Sequence, residues 1–242
     1  MTGYELFGTE HFLIMLCCAI CAVLLSVAYA RNRENGGGRC IRLIVAVLPL
    51  LLIVIRQIYV ICSDARIVYD LPLHLCSLTG MLCFVDGAFG GKLPHFITSL
   101  ISQSLYALGL PGAVLAIVFS DGTMYPPIHF ITIQSSLFHT LIIVYVVYSM
   151  IDGRAVRGIR YAYQSIVFLV CVVPPVYLFD RAFHANYMFL LGPSVGSPLT
   201  SVYSDHGYGA YLICFAGIVI TDIMAMNLIP ATFSGRHTCG KM

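Results

Sequence analysis

Of 242 residues, 59% are hydrophobic and only 10% charged, against roughly 25% charged in an ordinary soluble domain. That balance excludes a soluble globular enzyme and reads as an all-α integral membrane protein. The formal net charge of +2 comes without a run of basic residues interleaved with aromatics, which excludes a nucleic-acid-binding role.

Apolar runs of the ~20 residues needed to cross about 30 Å of hydrocarbon fall near 12 to 30, 41 to 62, 71 to 89, 95 to 119, 128 to 150, 159 to 179 and 209 to 230. They predict one membrane domain over 1–242, a polytopic bundle of seven transmembrane helices. Lys and Arg collect in short cytoplasmic loops. Arg31, Arg33, Arg39 and Arg42 flank the first loop, Lys92 sits in the third, Arg154, Arg157 and Arg160 in the fifth, and Arg236 and Lys241 in the tail. The alternate loops hold Arg66 and Arg181 beside Asp64, Asp70, Asp121, Asp180 and Asp205. The bias predicts an outside N-terminus, a cytoplasmic C-terminus and a multi-pass protein of the cell membrane. No Lys or Arg precedes Arg31, and Glu5 and Glu10 are acidic, so the first helix is expected to persist instead of being cleaved as a signal peptide.

The first helix carries Cys17, Cys18 and Cys21 as small packing residues. Most of the ten cysteines lie in predicted helices or on the cytoplasmic side, as Cys239 does, and only Cys62 approaches the outer surface. No disulfide framework, metal or cofactor is expected. Residues 32 to 38 read as a flexible Gly-rich turn.

The second helix carries Arg56-Gln57 about six residues before its outer end, roughly 9 Å below the boundary at 1.5 Å per residue. Arg56 either snorkels to the headgroups or turns inward to hold an anionic group, for which a guanidinium fork is well shaped. The third helix is expected to begin at Pro72, with His74 about 5 Å deep. An ionisable group inside a membrane helix is expensive, which makes His74 a candidate site residue; a bond to a neighbouring helix is the plainer alternative. Cys76, Gly80, Cys83 and Gly87 form a small-residue stripe that lets another helix approach. Asp86 is expected to cap the helix or meet Lys92.

Gly109, Pro111 and Gly112 are expected to break the fourth span into half-helices, which membranes tolerate only where protein or a cavity satisfies the freed backbone. Gln103 and Gln134 are candidates for that task, although such residues more often bond helix to helix than contact a ligand; Gln134 is also a candidate substrate contact. The fifth helix follows Pro126-Pro127 and buries His139 roughly 16 Å down, with Ser135 one turn away on the same face. The sixth is expected to end at Pro174-Pro175. Residues 180 to 206 then form a stretch too long and apolar for an ordinary loop, read as a lid or re-entrant segment with Asn186 and Tyr187 facing a cavity. Asp222, near the middle of the seventh helix, needs a partner. Six histidines, His11, His74, His129, His139, His184 and His206, fall in the outer half. With Arg56 and Asn186 they outline a pocket that opens outward.

Leu71-Pro72-Leu73-His74-Leu75-Cys76, the segment Leu108-Gly109-Leu110-Pro111-Gly112-Ala113, the His139 helix and Asn186-Tyr187-Met188 occur in the order seen in the YwaF family of bacterial multi-pass membrane proteins. From Asp70 to Asp222 the chain resembles that family, which is similar to the animal transmembrane protein 164 group of ether-phospholipid acyltransferases. The resemblance implies acyl transfer between membrane lipids through a cysteine acyl intermediate, with histidine as base. In the animal proteins the cysteine directly precedes the histidine, a place held here by Leu73. Cys76 is the nearest thiol; two helical residues lie about 200° apart, so it is expected to face away from His74.

Together these features predict a lipid or amphiphile bound in an outward-opening cavity, with acyl transfer or hydrolysis there. His74 and His139 would move protons, Arg56 would meet a phosphate or carboxylate, and Asn186 and Tyr187 would orient the substrate. Cys76 and Ser135 are candidate nucleophiles. A permease or substrate-binding membrane subunit is the alternative, and a seven-helix sensor a third. The residues do not fix an oligomeric state.

Overall fold

A computed structural model describes residues 3–33, 37–63, 67–194 and 197–228, and no strand occurs among them. Asp64, Arg66, Arg236, Cys239 and Lys241 lie outside the described residues, as does the middle of the turn at 32 to 38. Long apolar segments form helices because the membrane offers no water to bond free N–H and C=O groups. The chain runs α1 (Thr9–Asn32), α2 (Gly38–Cys62), α3 (Leu75–Phe89), α4 (His95–Ser104), α5 (Leu110–Val118), α6 (Phe130–Ile151), α7 (Ala162–Phe183) and α8 (Leu199–Leu228). Among the described residues six helices are long and apolar enough to cross a membrane, α4 and α5 counting as one over His95–Val118; α3 is apolar but has 15 residues.

The central post is α6, packed on α1, α2, α3 and α5. Its Ile142, Val144, Tyr145, Val146 and Tyr148 are at most 1% exposed. By contrast α1 and α8 present Leu24, Leu25, Ile213 and Ile220 outward, as lipid-facing helices do. The small-residue stripe of α3 is used for close packing. A Cβ on Gly80 would stand 2.9 Å from the Phe138 ring, and one on Gly87 would stand 2.4 Å from the Ala46 Cβ.

Four expected boundaries move. Residues 70 to 74 are turn and bend, so α3 starts at Leu75, with His74 an extended N-cap (φ −67°, ψ 149°). Pro72 therefore precedes the helix. The fourth span is continuous instead of broken: Pro111 has no N–H to offer four residues back, and the backbone widens into a π turn over Leu105–Gly109, where Leu110 N–H bonds Leu105 O. All five residues of that turn are buried. Pro174 and Pro175 lie inside α7, which continues to Phe183, so Asp180 belongs to a helix. The last helix starts early, at Leu199, with a break at Gly207 (φ 80°).

At the end of the bundle where α1 finishes, charges are paired. Arg42 and the Tyr29 hydroxyl both bond Asp152, the latter at 2.8 Å. Asp86 accepts from Tyr145 Oη at 2.6 Å and from Arg154 Nη2 at 3.3 Å; its partners are these, not Lys92. On α4, Gln103 bonds Asn227 of α8 at 2.9 Å, a helix-to-helix bond that leaves the π turn untouched.

Candidate functional site

The opposite end, where α1 begins, holds a cavity of about 370 Å³, within the size range of small-molecule sites. The last turns of α2, the segment 69–74, the end of α5, the first half of α6 and Phe189 enclose it. Arg56, His74, Gln134 and His139 all line it, with Asp70, Cys76 and Ser135. The two histidines thus face one cavity although 65 positions separate them in the chain.

Arg56 turns inward. Its Nε and Nη2 donate to Asp70 Oδ1 at 3.1 and 2.5 Å, and Nη1 lies 3.5 Å from Gln134 Oε1. Gln134 Nε2 in turn donates to Leu52 O at 3.2 Å, and Gln57 Nε2 to Asp70 O at 2.7 Å. Asp70, read in the sequence only as a loop acid, is the counter-charge that an arginine at membrane depth requires. That requirement was the signal that could have found it.

His139 stands nine residues past the start of α6, about 14 Å along the helix. Its Nδ1 lies 2.7 Å from the Ser135 carbonyl and 3.4 Å from Ser135 Oγ. A carbonyl only accepts, so the closer contact makes Nδ1 the donor. Nδ1 is then unable to take a proton from Ser135 Oγ, which removes the serine–histidine pair as a nucleophile. His74 differs: its Nδ1 accepts from Met188 N–H at 3.3 Å. Cys76 shares the cavity wall with His74, because His74 precedes the helix and the 200° separation does not apply. Among the described residues nothing donates to the Cys76 thiol.

Asn186 and Tyr187 do not line the cavity. Asn186 closes its own loop, donating to Gly192 O and accepting from Leu191 N–H, both at 2.9 Å. Tyr187 is buried behind the wall: its hydroxyl accepts from Leu71 N–H and donates to Val68 O, both at 2.7 Å, and its ring stands edge-on to His74 with centroids 4.9 Å apart. Burial pushes the Tyr187 phenol up to about 12, so this hydroxyl stays protonated. Asp180 on α7 anchors the same loop by accepting from Tyr187 N–H at 3.0 Å.

Of the six histidines expected in the outer half, two reach the cavity lining. His11 is sealed, accepting from Phe7 N–H and donating to Ile117 O, both at 3.0 Å. His129 caps α6 by accepting from Ile131 N–H at 3.2 Å and stacks on Tyr125. His184 and His206 are exposed. The histidine cluster at the cavity is therefore smaller than the sequence implies, because shared depth does not give shared orientation.

A family model described as TMEM164 family matches residues 6–227, almost the whole chain. The chain belongs to the TMEM164 family. It is a multi-pass membrane protein of that family, and the matched span contains every residue of the cavity lining. No curated protein and no solved structure matches.

Proposed function

We propose that this TMEM164-family protein binds a membrane lipid or similar amphiphile in the cavity and transfers or hydrolyses an acyl group there. The observation that carries the reading is the convergence of Arg56, His74, Gln134 and His139 on one cavity, polar at Arg56–Asp70 and apolar at Ile53, Ile131 and Phe138. An imidazole, a guanidinium and an apolar wall are the parts needed to hold an acyl ester beside a proton acceptor. In transfer, a substrate hydroxyl oxygen bonds the ester carbonyl carbon while its proton goes to an imidazole. The ester C–O bond then breaks and the proton passes to the departing oxygen. With water in place of the hydroxyl the same steps are hydrolysis. Asp70 holds the guanidinium inward, and N–H donors not aimed at Asp70 remain for a phosphate or carboxylate oxygen.

The short α3 with its extended leader makes a seventh crossing, which puts the N-terminus outside, the C-terminus in the cytoplasm and the cavity on the outer side of a cell membrane. Residues 1–242 act as one membrane domain, on the YwaF side of the family, in a bacterium. The half-helix signature that favours a permease is replaced here by a continuous π-turned span.

The test is lipid mass spectrometry on membranes holding wild type or His139→Ala at matched protein levels. Histidine-dependent changes in acyl chains support the enzyme. Unchanged lipids together with histidine-dependent uptake of a solute into vesicles would replace it with transport.

A further inference from the structure

The two cavity histidines make opposite use of the same ring atom. His139 Nδ1 faces a carbonyl oxygen at 2.7 Å, an acceptor with no hydrogen to give. His74 Nδ1 faces the backbone N–H of Met188 at 3.3 Å, a donor with no lone pair to give. A neutral imidazole carries one proton, and the bond made by one nitrogen decides which nitrogen holds it. Neither Nε2 has a partner among the described residues, and neither is among the side-chain atoms sealed from the surroundings without a bond. With both rings on the cavity wall, Nε2 is the atom each has left to present.

We infer that His74 and His139 are held as opposite tautomers, His139 offering a basic Nε2 and His74 an Nε2–H donor. The pair is then not two interchangeable bases. His139 is the proton acceptor, and His74 is a fixed hydrogen-bond donor for a carbonyl or phosphoryl oxygen, on the same wall as Arg56. This refines the lipid-acyl reading above and, for the roles though not for the tautomers, rests on it. A ligand that satisfies both rings carries a hydroxyl or water hydrogen toward His139 and an ester oxygen toward His74.

The donor facing His74 is held at a conformational cost. Met188 and Phe189 have φ of 52° and 59°, in the left-handed region that non-glycine residues avoid, and such strain persists only where surrounding bonds over-determine it. Here they do. Asp180 accepts from Tyr187 N–H at 3.0 Å, Tyr211 Oη donates to Phe189 O at 2.5 Å, and Tyr208 Oη donates to Leu190 O at 2.9 Å. These bonds from α7 and α8 aim Met188 N–H at the ring, so the loop is a positioning element for His74.

The decisive measurement is nitrogen-15 magnetic resonance of histidine-labelled full-length protein in lipid nanodiscs at neutral pH, with His74→Gln and His139→Gln spectra assigning the signals. The expected result is a protonated Nδ1 and an unprotonated Nε2 for His139, with the reverse for His74. Both rings in one tautomer, or the two assignments exchanged, would overturn the inference. The measurement needs no turnover, so it stands or falls separately from the lipid assay. Where turnover is found, His74→Gln, which keeps an N–H near the Nε2 position, is expected to retain the wild-type ascending limb of the pH profile. His139→Gln is expected to lose about 100-fold or more, the usual weight of a general base. Loss of that limb in His74→Gln would also overturn the assignment.

Discussion

Arg56 reaches Asp70 through two nitrogens on one carboxylate oxygen, Nε at 3.1 Å and Nη2 at 2.5 Å. The pair ties α2 to the non-helical segment that carries His74, so the same contact that neutralises a charge at membrane depth also sets the cavity wall. Its side chains are 31% and 29% exposed, enough for the cavity to reach them.

Breaking that pair from one side leaves a charge without its partner. Asp70→Asn is expected to lower stability by about 1–3 kcal/mol, read as thermal unfolding in detergent. The double variant Arg56→Gln with Asp70→Asn should lose less than the sum of the singles, because the two groups are coupled. Additive losses would show that the contact carries no coupling.

Tyr187 acts through Leu71 and Val68. Tyr187→Phe leaves Leu71 N–H and Val68 O without their partner, which should cost about 1–3 kcal/mol. The pH dependence follows from the phenol, raised to about 12 in the fold from about 10 in the unfolded chain. Below about 10 both states keep the proton, and the contribution is fully present. Between about 10 and 12 the unfolded chain loses the proton first, so stability falls as pH rises. The difference between wild type and Tyr187→Phe in unfolding temperature should be flat below pH 10 and shrink above it.

Cys76 lies on the cavity wall, and among the described residues no donor or cation sits at its sulfur. Cys76→Ala is therefore expected to keep most of any acyl-chain remodelling, measured by lipid mass spectrometry. Abolished remodelling with unchanged folding would make the thiol the nucleophile.

Gly87 lets α3 pack closely on α2. A Cβ there would meet the Ala46 Cβ at 2.4 Å, so Gly87→Val should destabilise by about 1–3 kcal/mol through overpacking. Gly91→Ala, whose Cβ would meet nothing within 4 Å, is the control that should leave the unfolding temperature unchanged.

Asn186 separates loop structure from substrate contact. Since it bonds Gly192 and Leu191 and does not line the cavity, Asn186→Ala should lower thermal stability while leaving any lipid affinity, measured by equilibrium binding at a temperature where the variant is folded, near wild type.

Membrane class, most spans and the unusual Arg56, His74 and His139 were all legible in the sequence, because hydropathy and the cost of burying charge depend on residue type and local run length alone. Which of those groups meet was not. The hydropathy pattern puts six histidines at similar depth, yet His11 and His129 spend ring nitrogens on backbone groups and only His74 and His139 of the six reach the cavity lining. Facing depends on helix phase, and phase depends on where a helix starts. The shift of α3 to Leu75 puts His74 before the first turn and brings Cys76 onto the same wall. Met188 meets His74 only through a contact across 114 positions of chain, while Asp70 and Asp180 act on partners 14 and 7 positions away, across a helix end and a turn. The Met188 contact is set by packing of its loop against α7 and the residues around the start of α3, which no local pattern of residues encodes.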